Sequence, residues 1–417
     1  MWGFGRHGGG QAAARFCAAQ GATVEILELK SATAFAAAGA AAVAAGWTWH
    51  VGDGSHPALA AADLVVASPA IPPRAWPTSH PPRTAPEGLF CAAHRGPRIA
   101  VTGTKGKSTT AHLLASLLGW QVAGNSFAPL LDVLLRHGPD VPVVCELSSF
   151  QLWYLGQQPP AFLATVFTSL AVDHLDWHPD LAHYQSTKLA ALSWSPVVAV
   201  APELAQRIPS GLVHVPVVGY HDGRFSDAQG LLAERADLPL LGDHNARNAC
   251  LALAVALQQG VPRAQLALRL RQVRGLPHRL EEVPASDGRR YFNDSIATTP
   301  ESAMAALMAI EGPLAVILGG SEKGADFATL AAAVVRRGAL PVLIGATAPR
   351  LAQCLRDAGA APIEAGTLVR AMAEARSHLA PGGVVLLSPA CASFDQFQGF
   401  EDRGERFRAL VGSPDGV

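Results

Sequence analysis

The sequence predicts an α/β protein of three domains, and three observations carry that expectation. A short apolar strand runs into a glycine loop and then a helix at residues 99–118. A second glycine turn opens the chain within a β-α-β pattern. Elsewhere short apolar runs alternate with helical stretches to the end of the chain. Such alternation means parallel sheets joined by crossover helices. A length of 417 residues also exceeds what one core holds and divides into two or three domains.

Composition narrows the function classes. Apolar residues make up 49% and charged residues 16%, which is material for cores and not a disordered chain. A net charge of −1 without a basic run argues against nucleic acid as a partner. The six cysteines are scattered without a Cys-x-x-Cys pair, as expected of reduced thiols in a cytoplasmic protein. No basic segment with an apolar stretch opens the chain, and no apolar run reaches membrane-spanning length, so export and insertion are not expected.

In chain order, Gly3, Gly5 and Gly8–Gly10 form the first turn. A helix is expected over Gln11–Gln20 and a strand over Thr23–Leu29, with Glu28 at the strand end. Only Met1 and Trp2 precede Gly3, so the first strand reads as cut short, with residues expected before Met1. A strand at Asp63–Ala67 ends at Ser68-Pro69-Ala70-Ile71. Eight prolines then fill residues 69–97, which read as irregular and as holding the first domain boundary. Strands are expected at Val141–Cys145, Ala164–Thr168, Val197–Ala201, Leu314–Leu318, Pro341–Ile344 and Val384–Leu387.

Five clusters carry chemistry. Ile99–Val101 leads into Gly103-Thr104-Lys105-Gly106-Lys107-Ser108-Thr109 and a helix from Ala111 to Leu118. Strand, glycine loop and helix start aim backbone N–H groups at a phosphate. Lys107 then reaches the β/γ-phosphates and the Ser108 hydroxyl a Mg²⁺. Two residues separate these glycines, where the common phosphate loop has about four. Glu146 follows a buried strand, where it either ligates Mg²⁺ or caps a helix. His174 lies between Asp173 and Asp176 as a candidate metal ligand, and Lys188 by spacing alone is a solvated helix lysine. Asn245 and Asn248 share one face of a helix start, where they either pair with a nucleotide or cap the helix. Polar loops gather in the last third: Pro277-His278-Arg279, Asn293-Asp294-Ser295, Gly319–Gly324 and Ser388–Asp395. Arg279 and Lys323 beside the Ser393 hydroxyl suit an anionic substrate.

Together these blocks resemble the Mur ligase family, the ATP-dependent amino-acid ligases of peptidoglycan assembly, along essentially the whole chain. The short loop 103–109 is that family's phosphate loop. The closest resemblance is to the branch adding glutamate to UDP-N-acetylmuramoyl-L-alanine, through the blocks starting at Glu146, Asp173, Gly275, Asn293, Lys323 and Leu387. The resemblance implies a Rossmann-like UDP-sugar domain (1–94), a phosphate-loop ATPase domain (95–276) and a Rossmann-like glutamate domain (277–417). It implies an acyl phosphate formed with ATP and opened by D-glutamate, in a cytoplasmic monomer whose domains close around the acyl phosphate. By position, Gly103–Thr109, Asn248, Arg279 and Asp294 contact ATP, while Ser108 and Glu146 hold one Mg²⁺. His174 and Lys188, the latter carbamylated, serve a second Mg²⁺. Lys107, His174 and Lys188 are the catalytic group. Arg6, His7, Glu28, Lys30 and Asn125 meet the sugar nucleotide, and Thr298, Lys323, Ser393 and Phe400 meet the glutamate.

Three departures stand out. Ile296 occupies a position where glutamate-adding members usually carry lysine, Ala70 replaces a glycine, and Arg6-His7 replaces a Leu-Thr pair. Some relatives with an aliphatic residue at that lysine position add L-glutamate and leave its inversion to an epimerase, which is the alternative to D-glutamate. A polyglutamate-adding relative shares the ATP blocks but lacks the Lys323 and Ser388–Ser393 blocks. A catalytically dead binding protein would have lost Lys107, Glu146, His174 or Lys188.

Overall fold

The structure, a computed structural model, describes every residue except 6, 7, 209, 216, 323 and 414–417. Its contacts group the chain into two units. One comprises Met1–Asp237 with Arg247–Gln272, the other Leu238–Ala246 with Val273–Val417.

In the first unit, β1 (Glu25–Glu28) pairs in parallel with β2 (Thr48–Val51), and β3 (Val65–Val66) with β4 (Arg83–Thr84). Trp2 bridges the two pairs, lying parallel to both Leu27 and Ala67. The main sheet holds β5 (Arg98–Thr102), β6 (Gln121–Gly124), β7 (Val143–Glu146), β8 (Ala164–Phe167), β9 (Val197–Val200) and β10 (Val213–His214). All its pairs are parallel, in the order β10-β9-β8-β5-β7-β6. These strands are nearly continuous apolar runs because helices cover both faces. Ala12, Ala13, Val66 and Phe90 share one core with Ala100, Leu131, Val143 and Leu152. The N-terminal segment and the main sheet therefore bury their apolar faces on each other.

Two expectations are corrected here. Residues 69–97 are not wholly irregular, because Pro86–Ala93 is helical. Pro86 sits in its first turn, where a missing N–H costs nothing and the fixed φ suits the helix. The alternation of strands and helices is also interrupted. β11 (Gly219–His221), β12 (Arg224–Asp227) and β13 (Gly230–Glu234) form an antiparallel sheet. Asp222 and Gly223 turn β11 into β12 with positive φ at both residues, the geometry that matches the twist of a two-residue hairpin.

The second unit is built on β14 (Glu281–Val283), β15 (Arg290–Asn293), β16 (Leu314–Gly319), β17 (Leu340–Ile344), β18 (Ile363–Gly366) and β19 (Val384–Leu387). The order is β14-β15-β19-β16-β17-β18, parallel except for the β14 edge. Period-two alternation divides β16 cleanly. Val316 and Leu318 enter one core cluster, while Ala315 and Ile317 enter the other on the opposite face. Each fully buried aliphatic side chain of this size contributes about 1.5–3 kcal/mol.

Candidate active site

The loop after β5 leaves the sheet where the strand order reverses, between β7 and β8, the place where open α/β sheets form a ligand crevice. It runs into helix Lys107–Leu118, which starts at Gly106 without a side-chain cap. Gly103 and Gly106 have φ of +142° and +84°. A Cβ on Gly106 would stand 2.5 Å from Asn248 Oδ1, so only glycine lets the two approach. The loop is braced by the one after β8: Thr104 N–H donates to Ser169 O, and Lys105 N–H to Ser169 Oγ, both at 2.8 Å. Lys107 Nζ lies across the loop and donates to Thr104 O at 3.0 Å.

Glu146 ends β7, the neighbour of β5, and its side chain is fully buried. Its Oε1 accepts from the Ser108 and Ser126 hydroxyls at 3.1 Å and from Asn125 Nδ2 at 3.2 Å. Its Oε2 accepts from Ser126 N–H. Among the described residues no three His, Cys, Asp or Glu side chains gather into a ready-made metal cage. A buried carboxylate ringed by hydroxyls fits the Mg²⁺ mode that relies on one carboxylate, a hydroxyl and substrate phosphates.

Helix Leu181–Ala190 closes the crevice from the other side. Lys188, read from spacing as a solvated residue, is buried and donates from Nζ to Gly103 O at 2.8 Å. Burial, with Lys107 adding to it, holds its ammonium well below the usual lysine range against the pull of Asp173 and Glu146. Four residues earlier on the same face, Tyr184 hydrogen-bonds its hydroxyl to Thr104 Oγ1 at 2.7 Å. One helix face thus fixes both ends of Gly103-Thr104. His174 takes a left-handed backbone, φ +55°, with its N–H on Asp173 Oδ1. Burial lowers its imidazole below the usual range although Asp173 raises it, which favours the neutral ring a metal needs. His178, absent from the sequence reading, is buried beside it with Nδ1 at 2.8 Å from His183 Nδ1.

The glycine turn at the N-terminus borders a cavity of about 660 Å³ whose walls include Gly3, Gly5, Glu28, Ala70 and Trp76. Glu28 sits at the end of β1 and accepts from Phe4 N–H at 2.9 Å and Leu29 N–H at 2.8 Å. Lys30 is exposed beyond it. Arg6 and His7 lie outside the described residues.

In the second unit, the loops after β15, β16 and β19 meet. Asp294 accepts from Ser388 Oγ at 2.8 Å and Leu280 N–H at 3.1 Å. Burial pushes its carboxyl up to about 7, against the lowering effect of these two bonds and of Arg279. Gly319 N–H donates to Pro389 O, and Ser321 N–H to Ala392 O. Arg403, which sequence reasoning missed, is completely buried. Its guanidinium clamps Ser295 O at 2.8 Å and Cys391 O at 3.1 Å, joining the loop after β15 to the loop after β19. Ser393 is buried in that second loop, and Thr298 and Phe400 are half-buried. Ser295 Oγ donates to Phe400 O at 2.8 Å. Lys323 lies outside the described residues. Asn245, paired in sequence with Asn248, donates its amide to Leu241 O, and the helix carrying both starts at Asp243.

Comparison with known proteins follows the same blocks. Residues 101–203 match the Mur ligase middle domain, and residues 278–391 match the Mur ligase glutamate ligase domain. The chain is 34% identical to the UDP-N-acetylmuramoylalanine–D-glutamate ligase of Roseiflexus sp. (strain RS-1), over 99% of the chain and 98% of that relative. It is 36% identical to the UDP-N-acetylmuramoyl-L-alanine–L-glutamate ligase of Xanthomonas campestris pv. campestris (strain 8004), over 86% and 84%. The crystal structure of the UDP-N-acetylmuramate-alanine ligase MurC from Thermotoga maritima shares the fold, with a TM-score of 0.62, 18% identity and 97% of each chain covered.

Proposed function

The chain belongs to the Mur ligase family, and from that premise we propose that it joins D-glutamate to UDP-N-acetylmuramoyl-L-alanine at the cost of one ATP. The observation that carries this reading is the convergence of Lys107, Glu146 and Lys188 on the phosphate loop, between β7 and β8.

A carboxylate oxygen of the alanyl substrate attacks the γ-phosphorus, and the bond to the β-phosphate oxygen breaks to release ADP. The glutamate amine then attacks the acyl carbon, the carbon–oxygen bond to phosphate breaks, and the amine loses a proton. Little covalent chemistry falls to the protein; it positions the reactants and neutralises charge. The N–H groups of residues 103–109 and the helix start cradle the phosphates, with Lys107 opposing their charge. Asn248, Arg279 and Asp294 hold the rest of the nucleotide. Ser108 with Glu146, and His174 with Lys188, would hold two Mg²⁺ ions. Mg²⁺ bound there would withdraw charge from the phosphate oxygens.

Lys188 serves that second site as a carbamate. Once the ammonium has given up one proton, its neutral nitrogen bonds to the carbon of CO₂ and a second proton leaves, so the cation becomes an anion. The reaction needs a neutral amine, and burial beside Lys107 favours one. Glu28, Lys30, Arg6, His7 and Asn125 receive the sugar nucleotide. Thr298, Lys323, Ser393 and Phe400 receive the glutamate. In this reading the functional segments are 1–94, 95–276 and 277–417, acting as a cytoplasmic monomer. Among the described residues no helix is long and apolar enough to cross a membrane.

A second reading differs only in the amino acid. Ile296 stands where glutamate-adding members usually carry lysine, and the Xanthomonas relative is named for L-glutamate. Phosphate release with each isomer in separate reactions decides between them. A preference for D-glutamate supports the first reading, and a preference for L-glutamate replaces it with the second. Release with neither isomer sinks both.

A further inference from the structure

The rim of the 660 Å³ cavity is bonded to the turn that carries His174, although about 100 residues of sequence separate them. Ala70, Ile71 and Trp76 line the cavity on the segment that follows β3. Ala70 O accepts the indole N–H of Trp177 at 3.2 Å. Arg74, on the same segment, donates to Asp176 O at 2.7 Å and Trp177 O at 3.2 Å. The Trp177 ring is buried and stacks on Phe150, with centroids 4.7 Å apart and planes at 21°. Phe150 also meets the His174 imidazole, edge-on at 4.7 Å, and the His178 ring at 6.0 Å. The N–H groups of Trp177 and His178 both close on His174 O, at 3.1 and 2.9 Å. Three side chains in a row, Trp177, Phe150 and His174, therefore lead from the cavity wall to an imidazole held on strained left-handed backbone.

We infer that Trp177 is a positioning residue which transmits filling of the cavity to the His174 turn. A sugar nucleotide seated against Ala70 and Trp76 fixes the rim segment. The rim then fixes Trp177 through Ala70 O and the two Arg74 bonds, and the ring stack fixes the imidazole. Ordering the sugar nucleotide and ordering the His174 turn thereby become one event. This inference rests on the sugar-nucleotide reading of the cavity.

The test is amide hydrogen exchange across residues 173–178, with and without UDP-N-acetylmuramoyl-L-alanine. Nucleotide binding is scored separately from the rise in Tm. In the unchanged protein the nucleotide raises Tm and slows exchange at Trp177 and His178 at least about threefold. Trp177→Phe keeps the ring stack and loses only the N–H donor. It retains the Tm rise, loses the slowing, and lowers kcat about three- to tenfold at an unchanged KM for ATP. Arg74→Ala, an exposed position that leaves the core intact, gives the same loss if Trp177→Phe folds poorly. Equal slowing in the variants overturns the inference, as does nucleotide binding to the unchanged protein without any slowing. Failure of the nucleotide to bind at all overturns the reading of the cavity and this inference with it.

Discussion

Replacing Asp294 by asparagine should stabilise the second unit while damaging catalysis. The carboxyl is almost fully buried and burial raises it from 3.8 to about 7. Each tenfold change in a protonation equilibrium is worth about 1.4 kcal/mol, so keeping this group ionised costs the folded unit up to about 4 kcal/mol. The sign follows from proton binding. Between pH 4 and 7 the folded unit holds a proton that the unfolded chain has released. Stability is full below pH 4, falls as pH rises to 7, and stays low above it. Asp294→Asn removes this slope and, at pH 8, gains up to the same 4 kcal/mol. For a unit of this size that is about 2–4 °C in Tm per kcal/mol. All eight tryptophans lie in the first unit. Tryptophan fluorescence therefore follows the first unit, and amide exchange in β15, β16 and β19 follows the second. The reasoning is refuted if the variant keeps the wild-type pH slope in those strands, or gains nothing at pH 8. The proposed contact of Asp294 with the nucleotide predicts that the same substitution also raises the KM for ATP, stability being gained against function.

Three other substitutions bear on the crevice of the first unit. Gly106→Ala forces a Cβ to within 2.5 Å of Asn248 Oδ1 at φ +84°. Left-handed strain alone is about 1–2 kcal/mol, so steady-state kinetics should show the KM for ATP rising at least about tenfold. An unchanged KM would remove the loop from ATP binding. Glu146→Gln deletes a buried carboxylate that accepts from the Ser108 and Ser126 hydroxyls, the Asn125 amide and the Ser126 N–H. Titrating Mg²⁺ should give an activation constant at least about tenfold higher, with Tm little changed, because glutamine keeps the side-chain size and an acceptor oxygen for these donors; a lower Tm would make its role structural. Carbon-13 bicarbonate should give a carbamate resonance that Lys188→Arg abolishes, together with at least about a hundredfold loss of kcat. Persistence of the resonance in that variant would move the modification elsewhere.

The strand, glycine loop and helix around residues 103–109 were legible in the sequence because they are contiguous, and the structure places Gly103 and Gly106 where positive φ is required. The strands of the second unit were legible for a similar reason. Buried runs such as Val384–Leu387 are apolar throughout and flanked by glycine and proline. The helix Pro86–Ala93 was hidden by the prolines around it, although Pro86 itself marks a helix start. The β11–β12 hairpin had its Asp222-Gly223 turn in plain view, but the alternation on either side argued for crossover helices. Lys188 was the hardest residue to read. Nothing local distinguishes it from a solvated lysine, and its burial beneath Gly103 arises only from packing of distant segments. Tyr184 lies at helical spacing from it, and that was the signal available. Arg403 offered no such signal, because its partners Ser295 and Cys391 come from different loops.

Isotope transfer follows the alanyl carboxylate oxygen through the reaction. Substrate labelled with oxygen-18 in the alanyl carboxylate is incubated with ATP and glutamate, and the released phosphate is analysed by mass spectrometry. An acyl phosphate predicts that each phosphate carries one oxygen from the labelled carboxylate. Unlabelled phosphate formed alongside the amide product would contradict the account.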